Sequence, residues 1–153
     1  DDIYPYEGLI RKQAISAIMM SHIIYKQTDS MPASISEYWI KNHLRQQLGF
    51  NGVVFCDDLS MKALCAYGNL TQRATLALKA SCDMLIMCND REGSEETVKL
   101  LKDYHNPSSM LRLARLRGKK SISREQLLDS KDWSKATSYL NSHLQQSNFE
   151  LSG

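Results

Sequence analysis

Three short apolar runs, Ile15–Tyr25, Val53–Cys56 and Met84–Cys88, punctuate a chain whose other segments carry helical patterns. Each run is too short or too uniformly apolar for an amphipathic helix, and each is followed by polar or turn residues. Strands covered on both faces read this way, and parallel sheets are their usual setting. In the segment from Ser34 to Gly49, Ser34 with Glu37 makes a capping box, and Ile40, Leu44 and Leu48 repeat along one face. Gly49 stands where that helix should stop. From Asn69, an N-cap, Leu70, Ala74, Ala77, Leu78 and Ser81 trace a narrow face of mostly small residues suited to packing on a sheet. A third helix is expected from a Ser94 cap, with Glu95 and Glu96 favourable against its dipole and Val98, Leu101 and Tyr104 as its apolar stripe. Alternation of this kind predicts an α/β chain with right-handed crossovers.

Beyond Pro107 the character changes. Met110–Arg117 is short, basic and helical in pattern, Ser123 with Gln126 opens another capped helix, and a third spans about 130–145. The polar end, Asn148–Gly153, is expected to fray. The chain therefore divides into residues 1–106, three parallel strands with helices, and residues 107–153, a helical tail expected to pack on them.

With 153 residues, 42% hydrophobic, the chain can bury a core, which argues against wholesale disorder. A formal charge of +2 gives no reason to expect nucleic acid or an acidic membrane as partner. No apolar stretch approaches the roughly 20 residues of a membrane span, and no secretory signal opens the sequence. Cys56, Cys65, Cys82 and Cys88 lack CxxC spacing and read as buried free thiols of a reducing compartment rather than zinc ligands. Three parallel strands are few for a domain, since a closed (β/α)8 barrel takes about 250 residues. A start at Asp1-Asp2-Ile3-Tyr4, without Met, reads like the middle of a longer polypeptide.

The stretch from Leu48 to Met61 carries the chemistry. A helix stops at Gly49, Asn51-Gly52 turns the chain, and Val53–Cys56 forms a strand that ends in Asp57 and Asp58. Ligands and catalytic groups gather at the C-terminal ends of parallel strands. Alternation puts Val53, Phe55 and Asp57 on one face and Val54 and Cys56 on the other. A carboxylate at that rim can be a nucleophile, a metal ligand or a base, or can simply cap the next helix. For Asp58 the capping role is the stronger expectation.

Phe50-Asn-Gly-Val-Val-Phe-Cys-Asp-Asp-Leu-Ser-Met61 closely resembles the signature of glycoside hydrolase family 3, in particular its NagZ-type β-N-acetylglucosaminidase (β-hexosaminidase) branch. Met19–Tyr25, Met31–Ile40, Cys82–Asn89 and Ser123–Ser130 resemble other stretches of that family in the same order. Cys56 departs from the pattern, which has Ser or Thr there. The resemblance implies the C-terminal part, about strands six to eight, of a TIM-type (β/α)8 barrel followed by C-terminal helices. It implies a retaining mechanism in which ionised Asp57 attacks the anomeric carbon of a terminal β-linked N-acetylglucosamine, with no metal or cofactor. It also implies cytoplasmic recycling of muropeptides. The His acid/base loop of that branch is absent here and is expected upstream, on a missing N-terminal part of the same barrel. By the same resemblance Met19 and His22 lie at or near the sugar pocket, against plainer roles as core filler and strand-end hydrogen-bonder; Asn89 is a weaker candidate.

The remaining features read as structural. His43, His105 and His143 fall on or near helices, and Trp39 and Trp133 are expected as packing anchors. The basic run Arg112, Arg115, Arg117, Lys119, Lys120 and Arg124 lacks the interleaved aromatics of a nucleic-acid surface. Two other readings compete with the glycosidase. An aspartyl-phosphate phosphotransferase would use Asp57 with Mg²⁺, although Leu59 stands where its second Asp should be. A non-catalytic module would pair with another chain through its open sheet edge.

Overall fold

Ala17–Met20 (β1) and Val53–Cys56 (β2) pair in parallel, in the register Ala17↔Val53 to Met20↔Cys56. They belong to a computed structural model that describes residues 2–118 and 122–146. The expectations for Lys119, Lys120 and Asn148–Gly153 lie outside the described residues. β1 is shorter than the apolar run that contains it. From Ser21 the backbone leaves the sheet, and the Ser21 and Ile23 carbonyls take N–H groups of Ser34 and Ala33 instead.

The third run is also shorter than expected. It adds one parallel bridge, Met84 to Phe55, rather than a full strand. β2 ends at Cys56, so Leu85–Cys88 has no ladder to continue along. Its backbone is satisfied by the loop instead: the Ile86 carbonyl accepts Leu59 N–H, and Cys88 N–H donates to the Asp58 carboxylate. The expected three-stranded sheet is thus a two-stranded sheet with a bridge among the described residues.

The helices are α1 (Tyr4–Arg11), a π-helix (Tyr38–Gln47), α2 (Leu70–Lys79), α3 (Arg91–Leu100) and α4 (Pro107–Arg115), with 3₁₀ turns at Ala33–Ile35 and Lys62–Tyr67. The expected Ser34–Glu37 capping box does not form. Ser34 is buried and its hydroxyl meets His22, while the Ser36 hydroxyl accepts Trp39 N–H. Gly49 ends the π-helix as expected: its φ of +70° suits glycine, and no neighbouring side chain crowds it. Asn69 and Gln72 form a reciprocal capping box on α2. α3 is capped by Asp90 rather than Ser94, so it starts earlier than its charge pattern suggests. Its buried residue is Thr97, and Val98 and Tyr104 are exposed. The inner face is instead small, and Gly93 approaches Leu70 of α2 too closely to admit a Cβ without a shift.

One sheet face is packed. Val54 and Cys56 are fully buried with Ile35, Ile40, Leu44, Leu59, Leu64, Ala74, Ala77 and Ala80, and Ile18 and Met20 pack against them. The small side chains on α2 bring it close to α3 and to the 3₁₀ turn at Ala33–Ile35 rather than directly onto the strands, the packing its sequence had suggested. The opposite face is open only towards its C-terminal end: Val53 is fully buried, but Met19 is 55% exposed and Met84 38%. All four cysteines are free, but only Cys56 and Cys82 are buried; Cys65 and Cys88 are exposed, contrary to expectation. The two thiols interact, and that contact together with burial pushes the Cys82 thiol up.

The chain divides into two compact units, Asp1–Arg117 and Gly118–Gly153. α4 therefore lies in the first unit, where Ser109 and Arg112 bond Asp83. The second holds α5 (Arg124–Leu128), with the expected Ser123–Gln126 capping box, and α6 (Lys131–Gln146), where Trp133 is exposed.

Candidate active site

Asp57 extends the β1–β2 ladder one residue past β2, its N–H donating to the Met20 carbonyl at 3.1 Å. The side chain falls on the face of Val53 and Phe55, away from the packed core, and is half-buried rather than enclosed. Asp57 Oδ1 accepts the N–H of Asp58 at 2.8 Å. Oδ2 has no protein hydrogen bond among the described residues. A carboxylate with one oxygen anchored and the other unengaged at a strand end suits attack on an electrophile better than it suits a structural role.

Asp58 is the opposite case. Its carboxylate accepts Ser60 N–H at 2.9 Å, the Ser60 hydroxyl at 2.7 Å and Cys88 N–H at 2.9 Å. Burial alone would raise its pKa, but these bonds outweigh it and hold the carboxyl below the usual value. Asp58 thus ties the segment after β2 to the one after Met84; its role is structural, but it does not cap the next helix as expected, since Met61 holds that position without a side-chain bond.

His22, at the end of β1, places Nδ1 2.6 Å from Ser34 Oγ and Nε2 2.8 Å from the Asp58 carbonyl oxygen. Met19 is paired with Phe55 and shares the open face with it, two residues before Asp57 on the neighbouring strand. The structure thereby brings Met19, His22 and Asp57 to one rim. Ser34 was not a candidate from sequence, since its spacing to Glu37 pointed to a helix cap. Leu59, at the position where a phosphotransferase would carry its second Asp, is fully buried. Among the described residues no cluster of His, Cys, Asp or Glu is arranged to hold a metal ion.

Two cavities flank the sheet. One of about 360 Å³ runs beside β1, lined by Met19, Ser21, Tyr25, Trp39 and His43. Trp39 Nε1 and His43 Nε2 are buried there without hydrogen-bond partners among the described residues. Trp39 meets Tyr38 and His43 edge-on and Tyr25 at a tilt, the packing role expected of it. A larger cavity, about 720 Å³, opens at the N-terminal ends of the strands between Ser16, Gly52 and Arg115. It is remote from the Asp57 end, where parallel α/β architectures place their chemistry.

The Glycosyl hydrolase family 3 N terminal domain matches residues 1–116. The chain belongs to that family. Family 3 N-terminal domains are TIM barrels, so the sheet and its helices are a piece of that architecture. Among curated relatives, the chain is 41% identical over 140 residues to the beta-hexosaminidase of Thioalkalivibrio sulfidiphilus, covering 92% of this chain and 40% of that protein. It is 45% identical over 135 residues to the beta-hexosaminidase of Glaesserella parasuis, covering 88% of this chain and 40% of that one. Among solved structures, NagZ from Neisseria gonorrhoeae in complex with N-trifluoroacetyl-D-glucosamine superposes with a TM-score of 0.73 at 29% identity. The match covers 92% of this chain and 41% of that one. The chain thus spans about 40% of the length of these family 3 relatives.

Proposed function

We propose that this chain is the nucleophile-bearing part of a retaining family 3 β-N-acetylglucosaminidase. The observation that carries the reading is the Asp57 carboxylate, presented at a strand end on an open sheet face with one oxygen held and the other unengaged. In the first step the unengaged oxygen attacks the anomeric carbon of a terminal β-linked N-acetylglucosamine. The glycosidic bond breaks, and the departing oxygen takes a proton from a His acid/base on chain outside residues 1–153. Water then attacks the glycosyl-enzyme, gives its proton to the same base, and frees the sugar with its configuration retained. Met19 and His22 contribute to the pocket at this rim. The N-trifluoroacetyl-D-glucosamine bound by the gonococcal relative supports the sugar class.

Residues 1–106 supply about strands six to eight of the barrel, and the remainder comes from an N-terminal part. Support comes from the coverage of the relatives, from the exposed Met19 and Met84 face, and from the unpartnered Trp39 and His43 nitrogens beside the free edge of β1. The buried Trp39 N–H costs free energy until it finds an acceptor, and the bare His43 Nε2 until it finds a donor, so this edge suits a neighbouring strand. The substrate class extends to N-acetylglucosamine-bearing muropeptides and the setting to cytoplasmic cell-wall recycling. No helix among the described residues is long and apolar enough to cross a membrane. The test is turnover of a chromogenic N-acetylglucosaminide by the full-length polypeptide carrying Asp57→Ala. Loss of turnover with an unchanged unfolding transition is expected, and undiminished turnover removes Asp57 from the role.

A further inference from the structure

We propose that His22 is a positioning residue that aims the Asp57 carboxylate through the backbone of Asp58, an inference that rests on Asp57 being the nucleophile. The Asp58 carbonyl can only accept, so the 2.8 Å contact requires a hydrogen on His22 Nε2. In the neutral ring Nδ1 is then bare, and the Ser34 hydroxyl at 2.6 Å donates to it. Ser34 is fully buried, so this partner selects the tautomer without competition from water. Both ring nitrogens are thus engaged by protein, and the ring acts on the substrate through Asp58.

Asp58 is gripped on both sides of its Cα. Its N–H holds Asp57 Oδ1, its carbonyl accepts from His22 Nε2 at 2.8 Å and from Met61 N–H at 3.1 Å, and the next N–H, that of Leu59, donates to the Ile86 carbonyl. Without the His22 bond the peptide between Asp58 and Leu59 loses the shorter of the two bonds to its carbonyl and keeps those of Met61 N–H and Ile86. The N–H that fixes the nucleophile's rotamer lies one peptide upstream and is then held less firmly, through Met61 and the Asp58 carboxylate. A displacement of about 1 Å at a reacting atom can cost about a hundredfold in rate.

The test compares His22→Asn, His22→Gln, Ser34→Ala and Asp57→Asn in the full-length polypeptide with a chromogenic N-acetylglucosaminide. Asn keeps a polar group near Nδ1 but cannot reach the Asp58 carbonyl, whereas the Gln amide reaches the position of Nε2. The expected result is a kcat lowered about tenfold to a hundredfold in His22→Asn with KM nearly constant, and most of it recovered in His22→Gln. Ser34→Ala, which keeps the ring, should show a smaller kcat loss, again at constant KM. A raised KM at constant kcat would instead make His22 a direct sugar ligand and overturn the proposal. Unchanged kcat in His22→Asn and Ser34→Ala would do the same. Activity surviving in Asp57→Asn sinks the nucleophile reading itself, whereas an inactive Asp57→Asn beside a fully active His22→Asn sinks only the positioning role.

Discussion

At the N-terminal end of β2, the Asp83 side chain is fully buried and both its oxygens are saturated. Oδ2 takes Arg45 Nη2 at 2.6 Å and Val54 N–H at 2.9 Å, and Oδ1 takes Arg112 Nη1 at 2.9 Å and the Ser109 hydroxyl at 2.5 Å. At the C-terminal end of the same strand, Asp57 is half-buried, with a single hydrogen bond to one oxygen. One residue type therefore serves the two ends of β2 differently, Asp83 from the neighbouring segment and Asp57 from the end of the strand itself. The saturated carboxylate welds the π-helix, β2 and α4 together, and the unsaturated one keeps its charge available at the rim. This is the division of labour of barrel architectures, with stability at the bottom and chemistry at the top.

Replacing each carboxylate by its amide should separate the two roles most sharply. Asp57→Asn in the full-length polypeptide should lower kcat by about three orders of magnitude or more, because a neutral amide cannot act as the nucleophile. Its stability in urea should stay within about 0.5 kcal/mol of the parent. Asp83→Asn should do the reverse. Arg45 and Arg112 would be left buried without their counter-charge, at a cost of about 3 kcal/mol in urea unfolding, while turnover per folded molecule stays unchanged. A comparable loss of stability in both variants would erase the contrast.

Acid should attack the saturated end first in stability. Burial would raise the Asp83 carboxyl, but the Ser109 hydroxyl, Val54 N–H, Arg45 and Arg112 hold it below the usual value. Burial likewise pushes the Arg45 guanidinium down, partly offset by Asp83. A carboxylate with a depressed folded pKa stabilises the protein above its unfolded value of about 3.9, and that stability is lost as pH falls through the folded value. The urea midpoint of the parent should therefore fall steeply below about pH 4, and Asp83→Asn should flatten that fall.

Much of this was legible in the sequence, for identifiable reasons. Asn69 and the Ser123–Gln126 box cap their helices as read, because a cap is a local device that needs no tertiary partner. The strand that ends in Asp57 was equally plain, framed by Gly49, Asn51-Gly52 and two carboxylates. What failed depended on distant partners. Ser34 looked like a cap until His22, 12 residues away, claimed its hydroxyl. Met84–Cys88 looked like a full strand until Asp58 and Leu59 took its backbone bonds. The Asp83 network joins residues up to 38 positions apart, and nothing in its local spacing announces it.

Asp58 lies between the two extremes and sharpens the comparison with the smallest effect. Like Asp83 its carboxylate is saturated, yet it sits at the rim beside Asp57. In Asp58→Asn the amide oxygen can still accept Ser60 N–H and Cys88 N–H, and the amide nitrogen can donate to the Ser60 hydroxyl, which rotates to accept. Only the charge assistance is lost, so the expected cost is about 1 kcal/mol. Asp58→Ala leaves those donors without acceptors in a half-buried loop, and should cost about 2 kcal/mol. It should also lower kcat more than Asp58→Asn does, because the segment that carries the Asp58 N–H loses its tie to Cys88. If the two variants match in urea midpoint and in kcat, the Asp58 carboxylate is a surface charge and the rim is held by backbone contacts alone.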